Sequence, residues 1–260
     1  MSPISVLRKN SSMAKSKYSY NAEPRLSANQ LAEIVNASPT RRKSICVAAK
    51  FPKRAIVAQY RDANDNLTAF LQNPARAYPN FSTQIEALEN KSLDPALSAW
   101  VRNDAGRSAE ALSKAQATYN STNLGNFELK KLPLSKPKVL ISGVEVSSSA
   151  TCSVHGKYKG EPAVGCLSIL MNKSETSSSA RMERCRSAAV LSVLYAEQHL
   201  GEYGYAAPKL SLSYDVFAGK LVPAPNTYKK RLANMEISCE GVALWWPSIE
   251  PPADYDGPSL

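Results

Sequence analysis

Residues 143–173, GVEVSSSATCSVHGKYKGEPAVGCLSILMNK, place two apolar runs around a polar, lysine-bearing turn and end on a lysine. A β-hairpin of this kind leading into a helix can hold a divalent metal for phosphodiester cleavage. That chemistry needs two or three carboxylates around Mg²⁺ and a lysine to stabilise the developing charge or help activate water. Glu145, Glu161 and Glu175 are the nearby acids, and Lys157, Lys159 and Lys173 the nearby lysines. Glu145 falls mid-strand, which suits a ligand, and Lys173 is its candidate catalytic partner. Cys166, Leu167 and Ser168 stand where an acid-x-lysine triplet would be expected, so binding without cleavage is the alternative.

Cationic clusters supply a second chemistry. The chain of 260 residues carries a net charge of +10. Residues 1–80 hold 13 Lys and Arg against 4 Asp and Glu, whereas residues 136–260 hold 13 against 12. A surplus confined to one third of a chain points to a polyanionic partner, most often nucleic acid. Within LAEIVNASPTRRKSI (residues 31–45) a short helix, a turn and a second helix opening on Ser-Pro-Thr-Arg-Arg-Lys resemble a helix-turn-helix. In that motif the start of the second helix reaches the nucleic acid. Thr40, Arg41, Arg42 and Lys43 are the candidate contacts, followed by Lys50, Lys53 and Arg54. Lys229, Lys230 and Arg231 form a further triplet at the start of the last expected helix, where positive charge opposes the helix dipole.

A third arrangement, Cys152 and His155 in CSVH, has the spacing of half a zinc site. Cys166 and Cys185 lie too far along the chain to complete the usual ribbon, so no metal site is expected. The five cysteines are scattered, which fits reduced thiols in a cytoplasmic protein. Walker, dinucleotide-binding and Gly-x-Ser-x-Gly motifs are missing. Only two histidines are present, which disfavours histidine-based hydrolysis; His199 is expected to meet the carbonyls ending its own helix.

The elements that must position these groups follow from periodicity. Residues 1–22 read as a basic flexible arm. Residues 23–120 read as helical and helix-turn-helix-like. Ser27 with Gln30 makes a capping box, and Ser38 with Pro39 opens the second helix. A third helix starts near Val57, with Val57, Tyr60, Leu67 and Phe70 inward, and three short helices fill residues 80–120. Residues 121–137 read as a linker. From Lys138 to the end the pattern turns to β-β-α-β-β-α: strands VLISGVEVS and AVGCLSILM, a long helix, a hairpin around Ala218-Gly219, and a final helix. The fold class is therefore α+β, a helical basic module joined to a C-terminal α+β domain. No run of about 18 apolar residues exists, so no membrane span and no membrane partner are expected.

Three segments resemble a group of uncharacterised bacterial proteins with a restriction-endonuclease-like (PD-(D/E)XK-like) core. They are LSANQLAEIVNASPTRRKSICVAAKFPK, KVLISGVEVS with VGCLSILMNK, and YDVFAGKLVPAPNTYKKRLANMEISCEGVALWWPSI. In that pattern the first strand runs into an Asp after a Pro, and the second carries a Lys. Ser149-Ala150-Thr151 and Leu167-Ser168-Ile169 stand at those places here, while Glu145 and Lys173 match. The resemblance implies a nuclease-like core that has lost its catalytic groups. The function expected is nucleic-acid binding, DNA ahead of RNA, by a subunit of a bacterial anti-phage or mobile-element system. A protein partner in such a complex is allowed, and no cofactor is required. An active nuclease, with Mg²⁺ as cofactor, and a structural or adaptor subunit are the alternatives.

Overall fold

The structure, a computed structural model, describes residues 16–54, 59–134, 137–173 and 177–258. Its first half is helical. Strand β1 (Arg25–Ser27) leads directly into α1 (Ala28–Ile34), then come α2 (Pro39–Lys50), α3 (Arg61–Gln72), α4 (Ser82–Leu93) and α5 (Ala99–Thr122). The second half is sheet-rich: β2 (Glu128–Lys131), β3 (Lys138–Ile141), β4 (Val144–Ser147), β5 (Ala150–Tyr158) and β6 (Glu161–Leu170). Helix α6 (Ser178–His199) follows, then β7 (Tyr205–Ala206), β8 (Leu212–Asp215), β9 (Lys220–Pro223) and α7 (Tyr228–Trp245). This is the expected α+β class, with more strands than periodicity revealed.

Local chemistry sets the helix starts. Ser27 accepts the Gln30 amide at 3.2 Å while the Gln30 side chain accepts the Ser27 amide at 2.8 Å, a closed capping box. Ser38 caps α2 with Pro39 at its first position. Two of the helices expected between 80 and 120 are one, because α5 runs unbroken through Gly106. A mid-helix glycine costs only about 1 kcal/mol, and here Ala105, Ala109, Leu112 and Ala115 bury the helix on either side of it.

The described residues form two sheets. The order β1-β4-β3 makes the smaller, with β1 parallel to β4; β2-β5-β6-β8-β9 makes the larger, with β7 added to β6. VLISGVEVS is therefore a hairpin, not one strand: Ser142 and Gly143 take φ of 45° and 79°, the left-handed turn that reverses the chain. The segment expected as a polar turn is instead β5, joined to β6 by Lys159 and Gly160 at φ 53° and 90°. Residues 121–137 are not a plain linker, since β2 pairs antiparallel with β5.

Strand β6 explains the layering. Val164 and Cys166 join the core shared with α1, α2, α6 and α7, while Leu167 and Ile169 join the core under α3, α4 and α5. Covering both faces gives the continuous apolar run of a central strand. Helix α6 carries the chain back so that β8 lies parallel to β6. At the opposite margin Gln198 closes the edge of β3, donating to Leu140 O at 2.9 Å and accepting its amide at 3.0 Å. His199 does not bond its own helix; its Nε2 meets Lys138 O of β3 at 2.6 Å.

All five thiols are buried and free. Burial is the main cause that pushes the Cys152 and Cys239 thiols upward from 9.0 to about 12, with Cys166 moved the same way. A thiol raised in the fold stabilises it fully below the unfolded value, and that stability is lost as pH climbs from about 9 towards 12. The native protein should thus resist a disulfide reagent at pH 8 and release five equivalents on denaturation. Melting temperature should fall above about pH 9. A rapidly reacting native thiol would contradict this packing.

Candidate nucleic-acid interface

Helix α2 presents cations at both ends. At its start Thr40, Arg41 and Lys43 are exposed. Arg41 Nε lies 2.6 Å from Glu33 Oε1 on α1, an exposed pair worth little in water. Arg42 turns inward: its Nε donates to Ile34 O at 3.1 Å and its Nη2 to Val35 O at 3.5 Å. It therefore satisfies the carbonyls that end α1 and fixes the α1–α2 turn. Lys43 forms no ion pair among the described residues.

At the other end, Lys53 and Arg54 are exposed just past α2. Lys53 pairs with Tyr18 in an isolated antiparallel bridge, and its ammonium lies 5.7 Å from the Tyr18 ring centroid. The Arg54 amide donates to Lys17 O at 2.9 Å. Lys17, in the segment read as flexible arm, belongs to this end of the surface. Residues 16–22 are anchored by Tyr18, which is 3% exposed. The preceding 15 residues lie outside the described ones.

Lys50 does not belong to this surface. Its ammonium is buried and donates to Trp246 O at 2.7 Å and Ile249 O at 3.0 Å. Burial lowers its pKa. A basic residue late in a helix reads as a surface charge, but Lys50 falls on the same face as Ile45, Cys46 and Ala49, which are all buried. It holds the turn after α7 and has no phosphate to meet.

The triplet at the start of α7 divides likewise. Lys229 and Lys230 are exposed. Arg231 Nη1 lies 2.6 Å from Glu183 Oε2 of α6, and Glu183 also takes Arg186 at 2.5 Å. Arg231, then Arg186, holds the Glu183 carboxyl below its usual value. Arg231 thus joins α7 to α6, which leaves two of the three for solvent.

A crevice of about 690 Å³ separates α1 from the first half of α6; Asn29, Glu33, Asn36, Asn172, Glu183 and Arg184 are among the residues that line it. Glu33 connects it to Arg41. Arg184 was missed in the sequence because it sits in an arginine-rich helix start that carries no motif; among the described residues it forms no ion pair.

The carboxylate and lysine of the nuclease expectation are not brought together. Glu145 lies on β4 of the smaller sheet and pairs with Lys138. Lys173 follows β6 of the larger sheet and pairs with Glu110 of α5 at 2.6 Å. Glu161 opens β6 opposite Tyr158, beside the Lys157 and Lys159 end of the hairpin; Glu175 lies outside the described residues. Among the described residues no three His, Cys, Asp or Glu side chains converge on one point. A lone carboxylate already paired to a lysine does not fit a Mg²⁺ site. The zinc reading fails on strand geometry. Cys152 and His155 are three apart on β5 and so face opposite sides of the sheet. Cys152 enters the core under α3, α4 and α5, whereas His155 Nε2 meets Ser153 Oγ at 3.0 Å.

No helix among the described residues is long and apolar enough to cross a membrane. The chain matches no protein-family model and no curated protein sequence.

Proposed function

We propose that the protein binds nucleic acid, DNA ahead of RNA, through the cationic surface at the two ends of α2. The observation that carries this reading is the placement of Arg41 and Lys43 near the start of, and Lys53 and Arg54 just after, one helix of 12 residues. Such a helix is about 18 Å long, the rise of about five nucleotides along one strand of a duplex. A backbone lying along α2 would meet charge at both ends. Arg184 in the neighbouring crevice extends the first end.

The reading is binding without cleavage, since Glu145 and Lys173 sit in separate ion pairs. Arg42, Lys50 and Arg231 take no part in it, because carbonyls and Glu183 already engage them.

Fluorescence anisotropy with a labelled DNA duplex tests it. Lys43→Ala combined with Arg54→Ala should weaken binding about tenfold on every sequence tried, because phosphate contacts carry no sequence information. Lys229→Ala combined with Lys230→Ala should change it by about twofold or less. Equal affinity of the Lys43/Arg54 variant and the wild type would overturn the reading.

A further inference from the structure

The C-terminal tail lies on the second cationic end. Asp256 accepts the Lys17 amide through Oδ1 at 2.8 Å and Oδ2 at 3.0 Å, and the Tyr18 amide through Oδ1 at 3.1 Å. One carboxylate thus sits on two successive backbone N–H groups, the arrangement by which protein backbones cradle anions. Asp254, two residues earlier, takes the Lys17 ammonium on one oxygen and the Tyr18 hydroxyl, at 2.7 Å, on the other. Lys53 and Lys17 flank the same Tyr18 ring, at 5.7 and 5.3 Å from its centroid.

The tail's apolar anchor is small. Tyr255 packs edge-on to Phe51 at 5.1 Å and tilted against Tyr18 at 5.7 Å. Both partners of the Lys17–Asp254 pair stay about half exposed, at 48% and 56%. Exposed pairs of this kind exchange readily with competing anions. A phosphodiester offers the same oxygen acceptors.

We infer that the Lys17 and Tyr18 amides, with the side chains of Lys17, Lys53 and Arg54, form a phosphate-binding site that Asp254 and Asp256 fill when no polyanion is bound. This inference rests on the nucleic-acid reading and adds a built-in competitor to it. The tail's two carboxylates act as an internal polyanion, so ligand must displace them to gain the second end of α2.

The test compares three full-length proteins on one labelled DNA duplex: wild type, Asp254→Asn/Asp256→Asn, and Glu86→Gln/Glu89→Gln. The last removes the same two charges from the exposed surface of α4, which controls for net charge. Asparagine keeps the size of the tail residues, and thermal melting confirms that all three are folded. The tail variant should bind about tenfold tighter than wild type, with the α4 variant within about twofold of it. Backbone amide NMR of the wild type should show Lys17 and Tyr18 shifting as duplex is added. Equal affinity of the tail and α4 variants, or unmoved Lys17 and Tyr18 amides at saturation, would overturn the tail site while leaving nucleic-acid binding intact. No binding by any of the three would overturn both.

Discussion

Lys50→Ala should destabilise the protein by about 3 kcal/mol, a melting temperature lower by roughly 6–12 °C for a chain of this size, with duplex affinity unchanged at temperatures where it stays folded. The physical reason is local. The ammonium donates to Trp246 O and Ile249 O, the carbonyls left over where α7 ends. Removing it takes the ammonium donor from Trp246 O and Ile249 O and empties the space of a four-carbon stem. Lys50→Met should recover part of the loss by refilling that space without restoring the bonds. A Lys50→Ala protein with wild-type melting but weakened DNA binding would mean that this ammonium reaches solvent, against the packing described.

Gly165→Ala should be at least as damaging, costing about 3 kcal/mol or leaving the protein insoluble. A Cβ at this point of β6 would come within 2.2 Å of Leu210 O and 2.7 Å of the Ser211 nitrogen. Those are backbone atoms of the short helical turn Pro208–Leu210 (3-10) and of Ser211, which ends it, packed against β6 just before β8. Neither side can yield by changing a rotamer, so β6 or the turn must shift. Gly241 in α7 supplies the contrast. A Cβ there meets nothing within 4 Å, so Gly241→Ala should stabilise by about 0.5–1 kcal/mol. Melting of both variants in one buffer checks the pair, and a tolerated Gly165→Ala would show that the turn does not lie on β6.

Where local chemistry decides structure, the residues could be read directly. Ser27 with Gln30 and Ser38 with Pro39 start their helices as expected. The hairpin around Ala218-Gly219 forms with Gly219 at φ 60°. The final stripe places Met235, Cys239, Val242 and Trp246 inside. Pairing over distance could not be read. The sequence of β5 is polar on the face that carries Ser153 and His155, so only Cys152 and Val154 hint at a strand. Strand β1 has three residues and exists because β4 pairs with it. Gly165 was visible as a glycine in an apolar run, but not the backbone it makes room for.

The candidate site was legible only as charge. Lysine and arginine codes do not say whether a side chain meets solvent, a carbonyl or a carboxylate. Lys50 and Arg42 were drawn inside by helix ends 196 and 8 residues away in the chain. Lys17 joined the surface through Tyr18, an aromatic that carried no motif. The acidic tail 237 residues beyond Lys17 could be placed against it only by the fold.

The salt dependence of duplex binding tests the central claim most directly. Four exposed cations at the ends of α2 contribute about −4 to the slope when the logarithm of the association constant is plotted against that of the salt concentration. Alanine at Arg41, Lys43, Lys53 and Arg54 together should make that slope shallower by about 4. A wild-type slope near zero, or a slope that the fourfold variant retains, would contradict a phosphate-binding surface at α2.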